Sequence, residues 1–412
     1  MAIDTLVSNI LPLAAGGHPL MPLITYADTR STDAAADLRR ALDEQVVHER
    51  TGCMLRTSYW PARLAWFRRT QPNLWRATAH WLTIGEYVER RLFGRCRVSV
   101  SVASWSGLLD RRQLAWDAPL LDILGVSPAQ LSPLVDAAAP LRGLLPDFAK
   151  RWPALQDVPW FPAIGDGAAA NIGSGCTNPV RVALTVGTTG AVRIVQTDVP
   201  RVPDGLWCYR VDRRHALLGG ATSEGGNVYA WLRQTLNLGM PAVIEQVLAS
   251  MEPDGHGLTV LPFLAGERSP GWAGDVRATI HGMSRATTPL EITRASLEAV
   301  TYRLALLAKR IVDQVDGTYQ VIASGSALLQ SPAWMQLIAD VFGCAVVASA
   351  EPEATSRGAA LLALQALGVL ADIDAAPAAD GQTYEPDRGR HQIYQAAIAR
   401  QQRLYDCLIA AA

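Results

Sequence analysis

The sequence predicts an α/β protein of two or three domains. Its 412 residues, at roughly 150 residues per domain, exceed what one hydrophobic core usually holds. The apolar pattern is mostly helical before residue 165 and changes to strands from about residue 182. Near the carboxyl end, strands and helices alternate in β–α–β–α order, which indicates a sheet covered by helices.

The predicted N-terminal domain spans residues 1–178. Residues 5–13 and 22–26 have the pattern of short strands, with a glycine-containing turn between them. From residue 31 to residue 165, Trp and Leu recur at three- and four-residue spacing, which predicts helices. Gly, Ser, Asn and Pro cluster at 173–179 and mark the predicted boundary.

The second predicted domain spans residues 179–370, and a linker with a closing helix follows over 371–412. One long helix is well marked, because Thr288 suits its cap, Pro289 suits its first turn and Glu291 completes a capping box. The expected strands are 182–186, 191–195, 206–211, 216–218, 319–323 and 344–348, and the other expected helices are 332–342, 355–367 and 391–410.

Composition excludes several classes of function. A net charge of −1 offers no global attraction for a polyanion, so we expect no nucleic-acid partner. The six cysteines form no CxxC pair, which disfavours a zinc site or a disulfide framework and predicts a reducing cytoplasm. We expect no signal peptide, and no apolar run reaches membrane-spanning length, so no membrane partner is expected.

Three turns rich in Gly, Ser, Thr and Ala carry the candidate chemistry, at 164–170, 187–190 and 324–327. Small residues expose backbone N–H groups that bind phosphate, although each turn is also compatible with an ordinary connection. The first turn loosely matches a dinucleotide fingerprint, but prolines interrupt the preceding strand and disfavour a dehydrogenase. Its Asp166 either accepts a proton from a substrate hydroxyl or caps the following helix, and the residues alone leave both roles open.

In chain order these segments resemble the FGGY carbohydrate kinases over nearly the whole sequence. Leu-Pro-Phe-Leu-Ala-Gly-Glu-Arg-Ser-Pro at 261–270 is close to that family's most recognisable signature. The other matching segments are 26–30, 51–53 with 59–63, 165–168 through 173–175, 187–190, 219–226 with Trp231, 324–327 and 358–360. Each segment is weak evidence by itself, but their common order makes coincidence improbable.

The resemblance implies two actin-like ATPase (ribonuclease H-like) domains, with ATP and a small-molecule sugar in the cleft between them. It implies that Asp166 deprotonates the sugar hydroxyl that attacks the γ-phosphate, with Mg²⁺ accompanying ATP. No residue is assigned as a metal ligand. The resemblance places Gly187, Thr188, Thr189, Gly325, Ser326, Gln330 and Gly358 against the nucleotide, and Asn9, Asp28, Arg30, Tyr59 and Gly165 on the sugar side.

Two departures from the family pattern bear on activity. Family members begin with a strand–turn–strand unit whose Asp-x-Gly-Thr loop contacts phosphate and metal, and this sequence has no such loop. We therefore expect an N-terminal domain incomplete at its start. The alternative function is then a catalytically impaired sugar- or nucleotide-binding homologue. Ser326 replaces a glycine that is usual in the adenosine turn and adds a hydroxymethyl group there.

The substrate side looks most like the gluconate-kinase branch, on the segments 8–10, 26–30 and 51–53. This resemblance favours a gluconate-like substrate over xylulose or another polyol. An acidic sugar calls for nearby cations, and Arg30, Arg56 and Arg63 are the candidates. The sequence leaves the oligomeric state open, and a homodimer is compatible with it.

Overall fold

The computed structural model describes residues 1–315 and 318–410 and contains two α/β units. The first unit precedes residue 175 and packs helices around short strand pairs. Its strands are β1 (Asp4–Thr5), β2 (Leu11–Leu13), β3 (His80–Leu82), β4 (Val98–Ser99), β5 (Leu109–Asp110), β6 (Ala115–Trp116), β7 (Leu134–Val135) and β8 (Ile164–Gly165). Its helices are α1 (Thr32–Ala41), α2 (Glu44–Thr51), α3 (Trp60–Thr70), α4 (Pro72–Ala77), α5 (Ile84–Phe93), α6 (Val100–Ser104), α7 (Ala118–Leu124), α8 (Pro146–Arg151) and α9 (Asp166–Gly173).

The second unit is built on a larger twisted sheet with helices on its faces. Its strands are β9 (Arg181–Val186), β10 (Gly190–Gln196), β11 (Trp207–Arg210), β12 (Ala216–Thr222), β13 (Thr259–Leu261), β14 (Thr279–His281), β15 (Gln320–Ser324), β16 (Val346–Ser349) and β17 (Asp380–Tyr384). Its helices are α10 (Gly226–Thr235), α11 (Pro241–Ser250), α12 (Pro289–Val312), α13 (Ser326–Leu329), α14 (Pro332–Phe342), α15 (Ala354–Ala366) and α16 (Arg388–Tyr405).

The larger sheet has the strand order β11-β12-β10-β9-β15-β16-β17 over the described residues. Strands β9, β15 and β16 run parallel, whereas β10, β12 and β11 form an antiparallel meander. One face of the sheet packs against α12 and α14 and forms the main hydrophobic core. The other face carries Val195, Leu217 and Trp207, which share a second core with α9 and α15. This second core joins the two units.

Helix α12 confirms the capping box predicted from sequence. The Thr288 hydroxyl accepts the Glu291 N–H, and the Glu291 carboxylate accepts the Thr288 N–H at 2.7 Å. Leu297, Leu304 and Ile311 are buried on the face that meets the sheet. Neither this 24-residue helix nor any other described helix combines the length and apolarity that crossing a membrane requires.

Helices α9 and α15 cross with their backbones in contact, at a pair of glycines. A Cβ on Gly173 would lie 1.7 Å from the carbonyl oxygen of Ala354, and one on Gly358 would lie 1.9 Å from that of Ala169. Arg357 adds a hydrogen bond of 2.6 Å to the Gly173 carbonyl. Only glycine fits at these two positions, so the crossing fixes α9 on the second unit.

The structure differs from the predicted elements in both units. Residues 5–13, predicted as one strand, contain the end of β1 and all of β2 with a break between them. The stretch from 371 to 390, predicted as a linker, contains β17, which pairs antiparallel with β16 at the sheet edge. Its sequence, Asp-Gly-Gln-Thr-Tyr, lacks the apolar alternation that marks a strand. Residues 22–26 form only an isolated bridge at Ile24 rather than a strand. Residues 411–412 of the predicted closing segment lie outside the described residues.

We predict that Gly358→Ala destabilises the protein. Alanine gains about 1 kcal/mol of helix propensity over glycine. Overpacking typically costs about 1–3 kcal/mol and occasionally more, and the upper end is expected here because the Cβ would meet a backbone carbonyl that cannot rotate away. Thermal unfolding should therefore occur at a clearly lower temperature. Gly239→Ala is the matched control, because a Cβ there meets nothing within 4 Å. Equal melting temperatures for the two variants would contradict the backbone contact.

Candidate active site

A cleft of about 320 Å³ opens between the two units and contains the predicted catalytic carboxylate. It is bounded on one side by the end of β9 and the start of β10, and on the other by residues of the first unit. The residues that line it are Val7, Ser8, Tyr26, Ser58, Tyr59, Trp105, Asp166, Gly167, Ala170, Thr185, Thr189, Gly190, Ala191, Arg193, Trp207, Tyr209, Ala221, Arg268 and Thr355.

Asp166 is the first residue of α9, one position beyond the N-cap, Gly165. One carboxylate oxygen, Oδ1, accepts the backbone N–H of Gly167 at 2.7 Å. The other has no hydrogen-bond partner among the described residues. Burial raises the pKa of Asp166, while the Gly167 N–H and the nearby Arg193 guanidinium oppose the rise. This geometry leaves one oxygen available to a ligand in the cleft.

The predicted phosphate turns meet at the carboxyl ends of β9 and β15. The Thr185 and Ser324 hydroxyls lie 3.0 Å apart, and the Gly187 carbonyl accepts the Gly226 N–H at 2.8 Å. Gly325 has φ +96°, and a Cβ there would lie 2.4 Å from the Val186 carbonyl oxygen. Ligands of α/β sheets bind at this edge of the strands.

The remaining residues predicted to bind nucleotide fall into two groups. Thr188, Thr189, Ser326 and Gln330 have exposed side chains beside these turns, and Thr189 lines the cleft. Because Ser326 is exposed at the start of α13, its hydroxymethyl group displaces nothing in the fold. Gly358 is placed elsewhere, in the helix crossing, where the close approach of α9 accounts for a glycine.

An aromatic wall lines the cleft around Tyr59, which the sequence predicts on the sugar side. The rings of Trp105 and Tyr209 stack with centroids 3.7 Å apart, and Trp207 stacks on Tyr209 at 4.4 Å. The Tyr59 and Tyr209 hydroxyls lie 2.6 Å apart, and burial raises both pKa values. The indole N–H of Trp105 has no partner among the described residues. Gly165 leaves room for this indole, since a Cβ there would lie 2.8 Å from its nitrogen.

Three residues predicted on the sugar side have other roles in the structure. Asn9 is fully buried; its amide donates to the Leu6 carbonyl at 2.7 Å and accepts the Ile84 N–H at 2.8 Å. Both ends of its side chain are therefore occupied by backbone groups. Asp28 and Arg30 form a bidentate ion pair at the surface, outside the cleft lining. The two side chains therefore satisfy each other at the protein surface.

The predicted cations are largely engaged within the protein. Arg56 pairs with Glu44, and Arg63 donates to the Ser8 and Thr57 carbonyls. The guanidinium groups that line the cleft are instead those of Arg193 and Arg268, which the sequence analysis did not assign. Arg268 lies within the recognised signature at 261–270, so its motif was available as a signal. Arg193 had no signal beyond following the Gly-Thr-Thr-Gly turn.

A possible metal-ligand cluster lies away from the cleft. Asp254, His256 and Glu298 place their ligand atoms within 4.8 Å of one another. Arg400 binds the Asp254 carboxylate, and Arg294 and the His256 imidazole bind that of Glu298, at 2.7 and 3.0 Å. The His256 Nδ1 accepts the Leu258 N–H at 3.0 Å, which leaves Nε2 protonated. These groups satisfy one another as a structural network.

Glycine-rich turns at strand ends and a half-buried carboxylate in a cleft between two α/β units are the arrangement expected of a phosphotransferase of the actin-like ATPase class. Comparison with known proteins identifies the family. The model of the FGGY carbohydrate kinase N-terminal domain matches residues 2–173, and that of the C-terminal domain matches residues 182–367. The chain belongs to the FGGY family of carbohydrate kinases and is a phosphotransferase that acts on a small-molecule sugar.

Individual relatives agree with this assignment. The gluconokinase of Bacillus subtilis is 28% identical over 397 residues, which cover 93% of this chain and 77% of that protein. The crystal structures of a ligand-bound xylulose kinase and of a gluconate kinase, both from Lactobacillus acidophilus, superpose with TM-scores of 0.94 and 0.93. Both are 26% identical to this chain, and each match covers 99% of it and 84% of the other chain.

We predict that Asn9→Ala lowers stability without weakening sugar binding. The substitution leaves the Leu6 carbonyl and the Ile84 N–H without their partner, at a cost of roughly 2 kcal/mol or more. Thermal unfolding and steady-state kinetics measure the two effects separately. Asn73→Ala, at an exposed helix position, is the control and should change neither. A raised KM for the sugar at unchanged melting temperature would instead support the predicted role of Asn9 in sugar binding.

Proposed function

We propose that this chain transfers the γ-phosphoryl group of ATP to a hydroxyl of a gluconate-like sugar acid, with Asp166 as the general base. The supporting observation is that Asp166 has a free carboxylate oxygen in a cleft that is also lined by Thr189 and Gly190 of the predicted phosphate turn and by two guanidinium groups. A base, a phosphate site and cations for an acidic substrate thus share one cavity.

In the proposed reaction Asp166 accepts the proton of the sugar hydroxyl as its oxygen attacks the γ-phosphorus. The new P–O bond forms as the bond to the β,γ-bridging oxygen breaks, and ADP leaves with that electron pair. The raised pKa of Asp166 makes it a stronger base than an exposed carboxylate, and the Gly167 N–H holds it in place.

Mg²⁺ fits this site as an ion carried by the nucleotide. Mg²⁺ bound with ATP usually keeps several waters and is held largely by phosphate oxygens. Asp166, the carboxylate in the cleft lining, would meet the ion through such a water and keep its free oxygen for the sugar hydroxyl. Thr185 and Thr189 supply further oxygens nearby. When bound, the ion would neutralise phosphate charge, while Asp166 and the turns orient the reactants.

The choice of a sugar acid rests on Arg268. No described residue accepts a hydrogen bond from its guanidinium, and its Nε is buried. It lies close enough to Tyr59 and Tyr209 to affect their pKa values, which places it at the aromatic wall. A bidentate pair with a substrate carboxylate would satisfy its donors. The gluconokinase and gluconate kinase relatives are consistent with this choice.

The direct test is ADP release from ATP and Mg²⁺ with gluconate, xylulose and glycerol in parallel. Turnover highest with gluconate is the expected result. Turnover only with an uncharged polyol would support the kinase activity but reject a sugar acid as the substrate. Thermal stabilisation by sugar or nucleotide without ADP release would favour the alternative, a catalytically impaired binding homologue.

We predict that Asp166→Asn lowers kcat by about 10²–10⁴-fold, the range of general-base catalysis, while the fold and ATP binding persist. In the wild type, activity should fall as pH drops through the raised pKa of Asp166, because protonation removes the base. The acid limb of the pH–rate profile should therefore lie above about pH 4, the ordinary value for aspartate. Asp147→Asn, at an exposed position, is the control. Unchanged turnover in Asp166→Asn would reject the role.

We predict that Arg268→Gln raises the KM for gluconate by about 10–100-fold, the effect of losing a charge-assisted hydrogen bond of about 1.5–3 kcal/mol. The KM for xylulose should change little, since xylulose has no carboxylate. Arg277→Gln is the matched control, because that side chain bonds only to the neighbouring Asp275 and Val276 carbonyls. An equal rise for both sugars would show that Arg268 acts through the fold instead.

A further inference from the structure

The fold makes room for the Arg193 side chain on an interior strand of the large sheet. Arg193 lies on β10, opposite Ala183 of β9 and Gly219 of β12. A Cβ on Gly219 would lie 2.8 Å from the Arg193 Cγ and 2.5 Å from the Trp207 ring. The glycine therefore makes room for the arginine stem, which leads the guanidinium into the cleft.

The Arg193 guanidinium is buried and only partly satisfied. The residue is 9% exposed, and its Nη2 donates to the Thr185 hydroxyl at 2.8 Å. Its buried Nε has no partner among the described residues, and no described carboxylate lies within the 4.0 Å of an ion pair. Asp166 attracts the guanidinium from beyond ion-pair distance, so Arg193 keeps donors available for an anion that enters the cleft.

The position of Arg193 indicates which anion that is. Its Nη1 lies 3.6 Å from the Cβ position of Gly167, the residue after Asp166. Its partner Thr185 lies two residues before Gly187, where the 187–190 turn begins. The Thr185 hydroxyl also contacts Ser324, the first residue of the 324–327 turn. The guanidinium therefore lies between the base and the phosphate turns, where the phosphoryl group must pass.

We infer that Arg193 is a further catalytic residue, which binds the non-bridging oxygens of the phosphoryl group during transfer. This inference rests on the proposed function of the cleft. Arg193 stays protonated throughout; the proton of the sugar hydroxyl goes to Asp166, and the leaving electron pair goes to ADP. Fixed positive charge at this place stabilises the negative charge that spreads over the equatorial oxygens.

We predict that Arg193→Met lowers kcat at least about 100-fold, a typical cost of losing one preorganised electrostatic group, and changes the KM for sugar less than about threefold. Methionine fills the space of the arginine stem beside Gly219. The melting temperature of the variant should therefore equal or exceed that of the wild type, because a buried charge is lost. The acid limb of the pH–rate profile should move to higher pH, because Arg193 opposes protonation of Asp166. Arg193→Lys should recover part of kcat. A lowered melting temperature with kcat unchanged would reject the inference.

A binding experiment tests Arg193 independently of turnover. ADP with fluoroaluminate mimics the transferred group, and thermal stabilisation is measured with ADP alone and with ADP plus fluoroaluminate, at saturating gluconate and Mg²⁺. The wild type should gain further stabilisation from fluoroaluminate, and Arg193→Met should lose that gain while keeping the response to ADP. Equal gains in both proteins, or no gain in the wild type, would overturn the inference. Absence of turnover with every sugar would instead reject the proposed function, whatever the fluoroaluminate result.

Discussion

The backbone contact between α9 and α15 is the constraint on which the site depends. Gly173 and Gly358 allow carbonyl groups of one helix to touch the backbone of the other, and such contacts tolerate far less adjustment than contacts between side chains. Asp166 begins α9, whereas α15 belongs to the unit that carries the phosphate turns. The crossing therefore sets the distance between Asp166, the proposed base, and the predicted phosphate turns, so main-chain contacts fix the geometry of the proposed site.

The large sheet supplies the other half of this geometry. Its central strands are buried on both faces, by the α12 core on one side and by the core shared with α9 on the other. The turns after β9 and β15 emerge from these strands in fixed register, with Thr185 opposite Ser324. Gly325 has a positive φ, and the Val186 carbonyl oxygen occupies the space that a side chain would need, so both features favour glycine there. Phosphate is thus expected at a rigid edge and not on a mobile loop.

Local signals in the sequence were sufficient for many elements but not for every site residue. The capping box of α12 and the span of α14 depend on residues within one turn of each other, and the structure has both where the sequence predicts them. Asn9 is different, because its partner Ile84 lies 75 positions away and only the tertiary fold reveals that its amide is occupied. The role of Arg193 could not be predicted for the same reason, because its neighbours Gly167 and Gly219 come from both units. Strand β17 could not be predicted either, because its polar residues form a strand only through pairing with β16.

The charge of the cleft also differs from what the whole chain suggests. The formal net charge of −1 argues against a polyanion, yet the cleft lining contains two guanidinium groups and one carboxylate. Burial lowers the pKa of Arg193 and raises that of Asp166, so desolvation in the cleft disfavours the charged form of both groups. Anionic reactants would relieve this penalty by supplying counter-charge to the arginines. The free energy that folding these charges into the cleft costs would then be recovered when substrate binds, which ties affinity to the same groups that are proposed to carry out transfer.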